Sequence, residues 1–144
     1  MEVGEPTSPV LRIVDLWAAG QRLTVDDHTA YIPSLAHYMR LETERVRRGD
    51  IPPRPFPKSN PEEMVRRLRK DQKGSAQKFW FLRWSEILDD VSTYAYLADD
   101  DLVILFAFWR TTEAGRTFEL RIPSREFTTV VEEAADFLDA GLTR

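Results

Sequence analysis

Cysteine is absent from the 144-residue chain, and histidine occurs only at positions 28 and 37. Without thiols the chain forms no disulfide, and it offers neither cysteine ligands for zinc or an iron–sulfur cluster nor a thiol nucleophile. Its six glycines are scattered, so the sequence contains no glycine-rich phosphate-binding loop. These shortages exclude several large classes of metalloprotein and enzyme.

Long hydrophobic runs are missing as well. The longest, residues 102–109, has eight residues, whereas a membrane-spanning helix needs about 20. The first residues are acidic and lack the basic segment that opens a signal peptide. We therefore expect a protein that has no contact with membranes and resides in the cytoplasm, a compartment compatible with the lack of disulfides.

The composition is that of a folded globular protein. Hydrophobic residues make up 42% of the chain and aromatic residues 11%, more than disordered chains carry. A length of 144 residues fits one domain. We predict a single domain over residues 1–144, with a flexible tail at residues 1–9 and a proline-rich internal loop at residues 51–59.

Hydrophobic periodicity and capping signals predict three helices. They cover residues 33–48, a segment from Asn60 to near Gly74, and residues 124–141. Alternating segments predict strands at residues 10–17, 22–25, 92–98, 102–110 and 117–122. Residues 77–84 also favour a strand, although a helical stripe through residue 90 leaves a helix open as the alternative.

The order of these segments predicts an α+β fold. Short turns between the later strands imply antiparallel pairing, and the doubly apolar strand at residues 102–110 is expected at the centre. We predict an antiparallel sheet of four to six strands, with a meander in the C-terminal half, packed by a C-terminal helix, and with two helices inserted after the N-terminal strand or strands. The residues expected in the core are Leu105, Phe106, Phe108, Val131 and Leu138.

Charge is distributed unevenly along the chain. The formal net charge is −4, but residues 40–83 carry 13 Lys and Arg against 6 Asp and Glu, a balance of +7. The other 100 residues carry 7 against 18, a balance of −11. This asymmetry predicts an electropositive sector on an acidic body. The alternative is that the two sectors neutralise each other across the fold.

The second helix carries the candidate binding residues. Arg66, Arg69, Lys70 and Lys73 follow the spacing i, i+3, i+4, i+7, and Arg67 flanks them. On a helix this spacing places the four cations on one face, without an opposing carboxylate, where they repel one another. We expect this face to project into solvent and to contact an acidic protein partner.

Residues that resemble catalytic or metal sites have simpler interpretations. His28 follows two aspartates, but a histidine in such a turn is more often a solvated cap than a general base. The three aspartates at residues 99–101 lack the glycine of a cation-binding loop. Asp101 and the alternation at residues 119–121 follow a nuclease-like pattern, except that arginine replaces the lysine. We therefore assign no catalytic residue, no metal site and no cofactor.

Aromatic residues cluster at Phe79, Trp80, Phe81 and Trp84, between Lys78 and Arg83. Aromatic side chains interleaved with cations can stack on the bases of single-stranded nucleic acid. Such residues are also what a domain of this size needs for its core, and the core is the favoured interpretation.

These observations favour a small non-enzymatic protein that acts by binding another macromolecule, as bacterial immunity and inhibitor proteins do. Two alternatives stay open. One is a nucleic-acid-binding protein that uses the basic segment 40–83, against which the acidic pI of about 5.3 counts. The other is a small enzyme or ligand-binding fold whose pocket uses Asp15, His28 and tyrosines.

Overall fold

In the computed structural model, the described part of the chain contains three α-helices, two antiparallel three-stranded sheets, a small hairpin and two 3₁₀ turns. The structure describes residues 2–6, 11–24, 29–71, 74–89, 91–108 and 116–142. The fold class is α+β, as the grouping of strands apart from helices predicts. No helix within these ranges is long and apolar enough to cross a membrane.

The N-terminal part of the chain forms the first sheet. Strand β1 (Glu2–Pro6) pairs antiparallel with β2 (Leu11–Asp15). Strands β3 (Trp17–Ala18) and β4 (Gln21–Arg22) make a separate hairpin, and β5 (Thr29–Tyr31) pairs antiparallel with the other side of β2. The order in this sheet is β1-β2-β5.

Residues 2–6, which were predicted as part of a flexible tail, form the edge strand β1. Val3 lies opposite Val14 of β2, and the register shifts between Val3 and Pro6. An edge strand tolerates a proline at its end, because the missing N–H removes no hydrogen bond of the central ladder. The other residues of the predicted tail lie outside the described ranges.

The helices begin within one residue of their predicted starts. Helix α1 (Ile32–Arg47) has Pro33 in its first turn, α2 (Pro61–Arg69) follows Asn60, and α3 (Ser124–Leu142) ends the described chain. The Asn60 side chain accepts a hydrogen bond of 2.9 Å from the backbone N–H three residues later. This bond satisfies one of the donors that a helix N-terminus leaves unpaired.

Helix α2 is shorter than predicted. It ends at Arg69, and Lys70 is its C-cap. Gly74, near which the helix was expected to end, has φ +80° and precedes the 3₁₀ turn Ser75–Phe79. Its left-handed backbone therefore starts a new turn instead of ending α2.

The C-terminal sheet is the predicted meander. Strands β6 (Val91–Ala98), β7 (Asp101–Phe108) and β8 (Thr117–Pro123) pair antiparallel in sequence order, so that β7 is central. Asp99, at φ +55°, makes the tight turn between the first two strands, because Asp tolerates this backbone conformation better than most residues. The loop of aspartates is therefore a hairpin tip.

Both faces of this sheet are covered, which explains the doubly apolar pattern of β7. Phe106 and Phe108 pack in one core with Val131 and Leu138 of α3, whereas Leu105 lies in a second core with the apolar face of α2. Each of these five residues is at most 7% exposed, so the predicted core residues are confirmed.

The strands are divided over more than one sheet, where a single sheet of four to six strands was expected. The outer edge of β6 is covered by two irregular segments. The Leu97 N–H donates to the carbonyl of Pro52 at 2.8 Å, and the Phe81 N–H donates to the carbonyl of Thr93 at 3.2 Å. The N-terminal strands do not extend this edge, because its hydrogen-bonding groups already have partners.

The aromatic segment, residues 79–84, is neither the predicted strand nor the alternative helix. After the 3₁₀ turn that ends at Phe79, Trp80 makes a single bridge to Tyr94 of β6, and the chain continues without regular structure to the 3₁₀ turn Glu86–Leu88. Its alternating aromatic residues enter the core from an irregular segment, and periodicity alone does not separate this case from a strand.

Candidate functional site

Two arginines of α1, Arg40 and Arg47, pair with carboxylates of α3. The guanidinium of Arg40 forms ion pairs with Asp136, at 2.9 Å, and with Asp139, and both of the terminal nitrogens of Arg47 donate to the carboxylate of Glu132. The Arg47 guanidinium lowers the pKa of Glu132 below its ordinary value. For this part of the basic segment, the two charge sectors neutralise each other.

The positive excess lies further along the chain. Residues 54–83 carry nine Lys and Arg against three Asp and Glu, which is +6 of the +7 balance of the basic segment. This range contains α2, the first 3₁₀ turn and most of the aromatic segment. The electropositive sector is therefore centred on α2 and on the segment that follows it.

Three of the predicted partner-binding residues are exposed on α2. Arg66 and Arg67 project into solvent, with nitrogens 3.6 and 3.4 Å from the same Oε1 atom of Glu63, and Lys70 is exposed at the C-cap. The expectation that no carboxylate opposes these cations is wrong, because Glu63 lies one turn earlier. Exposed pairs of this kind are weak, so the arginines can still exchange Glu63 for another anion.

Arg69 does not share the solvent-facing surface predicted for it. Its Nε donates to the hydroxyl of Ser92 and its Nη2 to the carbonyl of Ala107, each at 3.3 Å. Position 69 lies one turn after the buried Val65, so the side chain starts on the face that α2 turns toward the sheet. Burial lowers the pKa of Arg69. Lys73, the last of the predicted residues, lies outside the described ranges.

A groove and a cleft meet at Arg69. The groove, about 550 Å³ in volume, runs between α2 and the sheet; its lining includes the three cations Arg66, Arg69 and Lys70 and the two carboxylates Glu62 and Glu63, and we call it the basic groove. The cleft, about 910 Å³, lies between the start of α1, strand β6 and the aromatic segment. Arg69 lines both of them, so Arg66, Arg69 and Lys70 border two adjoining depressions.

Aromatic side chains that are about half exposed line the larger depression, which we call the aromatic cleft. Tyr31, Tyr38 and Trp80 are 50%, 47% and 41% exposed. The guanidinium carbon of Arg83 lies 4.3 Å from the centre of the Trp80 ring, within the range of a cation–π contact. Burial raises the pKa of Tyr94, whose phenol therefore stays protonated at neutral pH.

The aromatic cluster predicted from the sequence is divided between core and surface. Phe79, Phe81 and Trp84 are at most 7% exposed and belong to the core, as favoured. Trp80 is the exception, because its indole faces the aromatic cleft.

The buried carboxylate of Glu42 on α1 forms hydrogen bonds with the aromatic segment. The Oε1 atom of Glu42 accepts a hydrogen bond of 2.7 Å from the Leu82 N–H and one of 3.0 Å from the Trp84 indole N–H. Burial raises the pKa of Glu42 to about 7, although both hydrogen bonds and the nearby cations Arg45 and Arg83 act in the opposite direction.

Arg45, one turn later, binds the same segment through its carbonyls. Its guanidinium donates to the Trp80 carbonyl at 2.7 Å, to the Lys78 carbonyl and to the Asp50 carbonyl at 3.2 Å. We call Glu42 and Arg45 the α1 clamp. Between them they satisfy N–H and C=O groups of a segment that forms only one bridge to the sheet.

The α1 clamp holds a strained backbone. Leu82 has φ +55°, a left-handed conformation that costs a non-glycine residue about 1 kcal/mol. Leu82 and the neighbouring Trp84 line the aromatic cleft. The clamp therefore fixes one wall of this cleft in a conformation that the chain would not adopt locally.

Histidine and acidic side chains are the remaining candidates for catalytic or metal chemistry. No group of three or more His, Asp or Glu side chains among them could hold a metal ion. His28 lies outside the described ranges, and His37 is exposed beside Tyr38, with ring centres 5.4 Å apart. Asp101 and Arg121 form a cross-strand ion pair of 2.7 Å, which accounts for the nuclease-like alternation structurally.

Sequence reasoning missed the α1 clamp, although a signal for Glu42 exists. Leu35, Met39 and Val46 are buried at positions i, i+4 and i+11 of α1, and Glu42 lies at i+7 of the same stripe. A carboxylate in a core-facing stripe requires buried donors, and the neighbouring segment supplies them.

Comparison with models of protein families, with curated proteins and with solved structures gives no match for the chain.

Proposed function

We propose that this protein is a non-enzymatic binding protein that recognises an acidic protein partner, the mode of action of immunity and inhibitor proteins. One observation carries the proposal. Arg40 and Arg47 of α1 have carboxylate partners on α3, whereas residues 54–83 carry a +6 excess, and four of their cations, Arg66, Arg69, Lys70 and Arg83, line the basic groove or the aromatic cleft. A sector of the chain with an excess of positive charge attracts an acidic partner.

The cations of α2 and its C-cap have different roles in this proposal. Arg66, Arg67 and Lys70 are exposed, so they steer the partner and accelerate association more than they strengthen the final complex. Arg69 is partly desolvated and held by the Ser92 hydroxyl and the Ala107 carbonyl. A fixed, desolvated guanidinium loses little freedom when it binds a carboxylate, so Arg69 orients the partner.

Single-stranded nucleic acid is the second candidate ligand, and Trp80 supports it. An exposed indole with an arginine stacked on it is a platform for a base. The pI of about 5.3 counts against it, because domains that bind nucleic acid are usually basic.

A charge-reversal experiment tests the proposal. The variant carries Arg66→Glu and Lys70→Glu, and the matched control carries Arg22→Glu and Arg125→Glu, which are exposed residues that line neither depression. Each pair changes the formal net charge from −4 to −8. Fluorescence anisotropy measures the binding of labelled polyglutamate and of a labelled poly(dT) strand at several salt concentrations.

We expect polyglutamate to bind, with an affinity that falls as salt rises, and the groove variant to weaken binding about tenfold. The control should change binding by much less. Equal weakening by both variants would show that net charge alone matters, and the basic groove would not be the site. Tighter binding of poly(dT) than of polyglutamate would favour the nucleic-acid candidate.

A further inference from the structure

The aromatic cleft combines features that the basic groove lacks. Tyr31, Tyr38 and Trp80 keep 41–50% of their surface exposed inside a concave site. Aromatic side chains prefer stacked or edge-to-face contacts with other rings, and pockets lined by them with a few polar groups are typical ligand sites.

Cations are placed next to these rings. Arg83 lies over Trp80, and Arg69 occupies the junction with the basic groove. Asp71 and Asp89 also line the cleft, so its charge is mixed. Rings flanked by guanidinium groups suit a planar apolar group with carboxylates on either side of it.

The wall that presents Trp80 and Arg83 is fixed before any ligand arrives. The α1 clamp binds the backbone of residues 78, 80 and 82, and it holds Leu82 at φ +55°. A surface held in this way loses little conformational entropy on binding, and strained backbone of this kind concentrates at ligand sites.

We propose that the aromatic cleft receives an aromatic side chain of the acidic partner, flanked by carboxylates, and that this residue is the anchor of the interaction. This inference rests on the proposed function. The flanking acidic segment crosses Arg69 and continues along the basic groove past Arg66 and Lys70, because Arg69 lines both depressions. The basic groove attracts any acidic segment, whereas the aromatic cleft selects a segment that carries an aromatic ring.

Two synthetic peptides test the inference. Both are runs of glutamate, one with a central phenylalanine and the other with a central alanine, and they bind to the full-length protein. We expect the phenylalanine peptide to bind about tenfold more tightly, because a ring stacked in the cleft adds contacts that alanine cannot make. The indole N–H signal of Trp80 in ¹H–¹⁵N spectra should shift with the phenylalanine peptide only.

Variants separate the cleft from the groove. Trp80→Ala should abolish the difference between the two peptides, whereas Trp17→Ala, at a residue 51% exposed outside both depressions, should preserve it. Arg66→Glu with Lys70→Glu should weaken both peptides by the same factor and leave their ratio unchanged. Circular dichroism verifies that the tryptophan variants are folded.

Each contrary result has its own meaning. Equal affinities of the two peptides for the wild-type protein would overturn the aromatic anchor and leave the proposed function standing. No binding of either peptide would overturn both. A shift of the Trp80 signal by poly(dT), with higher affinity than that of the phenylalanine peptide, would overturn the peptide anchor in favour of a base.

Discussion

Glu42 lies on the same face of α1 as Met39 and Val46, which lie one turn before and after it and are buried in the core. Its carboxylate is one-tenth exposed and accepts hydrogen bonds from Leu82 and Trp84, which lie 40 and 42 residues further along the chain. A leucine at this position would bury more apolar surface, but it would leave two buried donors without an acceptor. The carboxylate therefore fixes the position of the aromatic segment, although its burial costs the carboxylate its solvation by water.

The raised pKa of Glu42 makes stability depend on pH. In the folded protein the carboxyl keeps its proton up to about pH 7, whereas its ordinary pKa is 4.5. The folded state holds more protons between these values, so the contribution of Glu42 to stability is complete below pH 4.5 and is lost as the pH rises through 7. The loss amounts to about 3 kcal/mol.

Glu42→Gln tests this dependence, because glutamine keeps an acceptor oxygen and does not titrate. We expect the variant to gain stability relative to the wild type as the pH rises from about 4.5 to about 8. Urea unfolding at both pH values measures the two differences in free energy of unfolding. Identical differences would contradict a raised pKa for Glu42.

Arg69 and Arg66 are separated by one turn of α2 and should behave differently. Arg69→Ala removes the donor to the Ala107 carbonyl and exposes a partly buried site, which should lower the free energy of unfolding by about 1–3 kcal/mol. Arg66→Ala removes one weak exposed ion pair, so its effect should stay within about 0.5 kcal/mol. Similar urea midpoints for the two variants would show that Arg69 is not anchored.

Among the elements, α2 shows what local sequence determines and what it does not. The start of the helix follows from Asn60 and Pro61, because capping depends on residues that are neighbours in the chain. The end of the helix was predicted too late in the chain, and the face of four cations that depended on it was therefore wrong as well. Whether the helix ends at Lys70 or at Gly74 depends on the packing of the following 3₁₀ turn. Helical spacing correctly predicted that Arg66 and Lys70 are exposed. It could not show that Arg69 forms hydrogen bonds with strands of the sheet.

The cap of α2 should be measurable. Asn60→Ala removes the side-chain acceptor for the N–H of Glu63, which should lower the free energy of unfolding by about 1 kcal/mol. Asn60→Asp keeps an acceptor and suits the helix dipole, so it should restore the stability. Thermal unfolding of the two variants side by side decides, and equal melting temperatures would exclude the cap as a stabilising contact.

At the scale of the molecule, the fold class was predictable and the site was not. Hydrophobic periodicity is local, so the C-terminal meander and α3 could be derived from it. The aromatic cleft depends on Tyr31 and Tyr38 meeting Trp80, which lies more than 40 residues away in the chain. Hydrophobic periodicity does not predict a contact of that kind, and the hydrogen bond between Leu97 and Pro52 at the edge of β6 is equally remote in sequence.

The central strand should dominate the stability of the whole. Phe106 is fully buried and stacks on Phe118 with ring centres 5.2 Å apart. Phe106→Ala should cost about 3–5 kcal/mol, a large share of the roughly 5–15 kcal/mol expected for a domain. Phe137→Ala, at a residue 64% exposed on α3, is the matched control and should stay within about 0.5 kcal/mol. A small effect of Phe106→Ala on urea unfolding would contradict the central position of β7.

The covered edge of β6 also affects how the protein behaves in a crowded solution. Sheet edges recruit strands from other chains and thereby seed aggregates. At β6 the backbone groups of Leu97 and Thr93 are engaged by Pro52 and Phe81, so an incoming strand would first have to displace the proline-rich loop and the aromatic segment. A strand from another chain would therefore pair more easily with β8, the other edge of this sheet. There the exposed charges of Glu119 and Arg121 disfavour the docking of an apolar strand. The proline-rich loop and the aromatic segment thus protect one edge of the C-terminal sheet from aggregation.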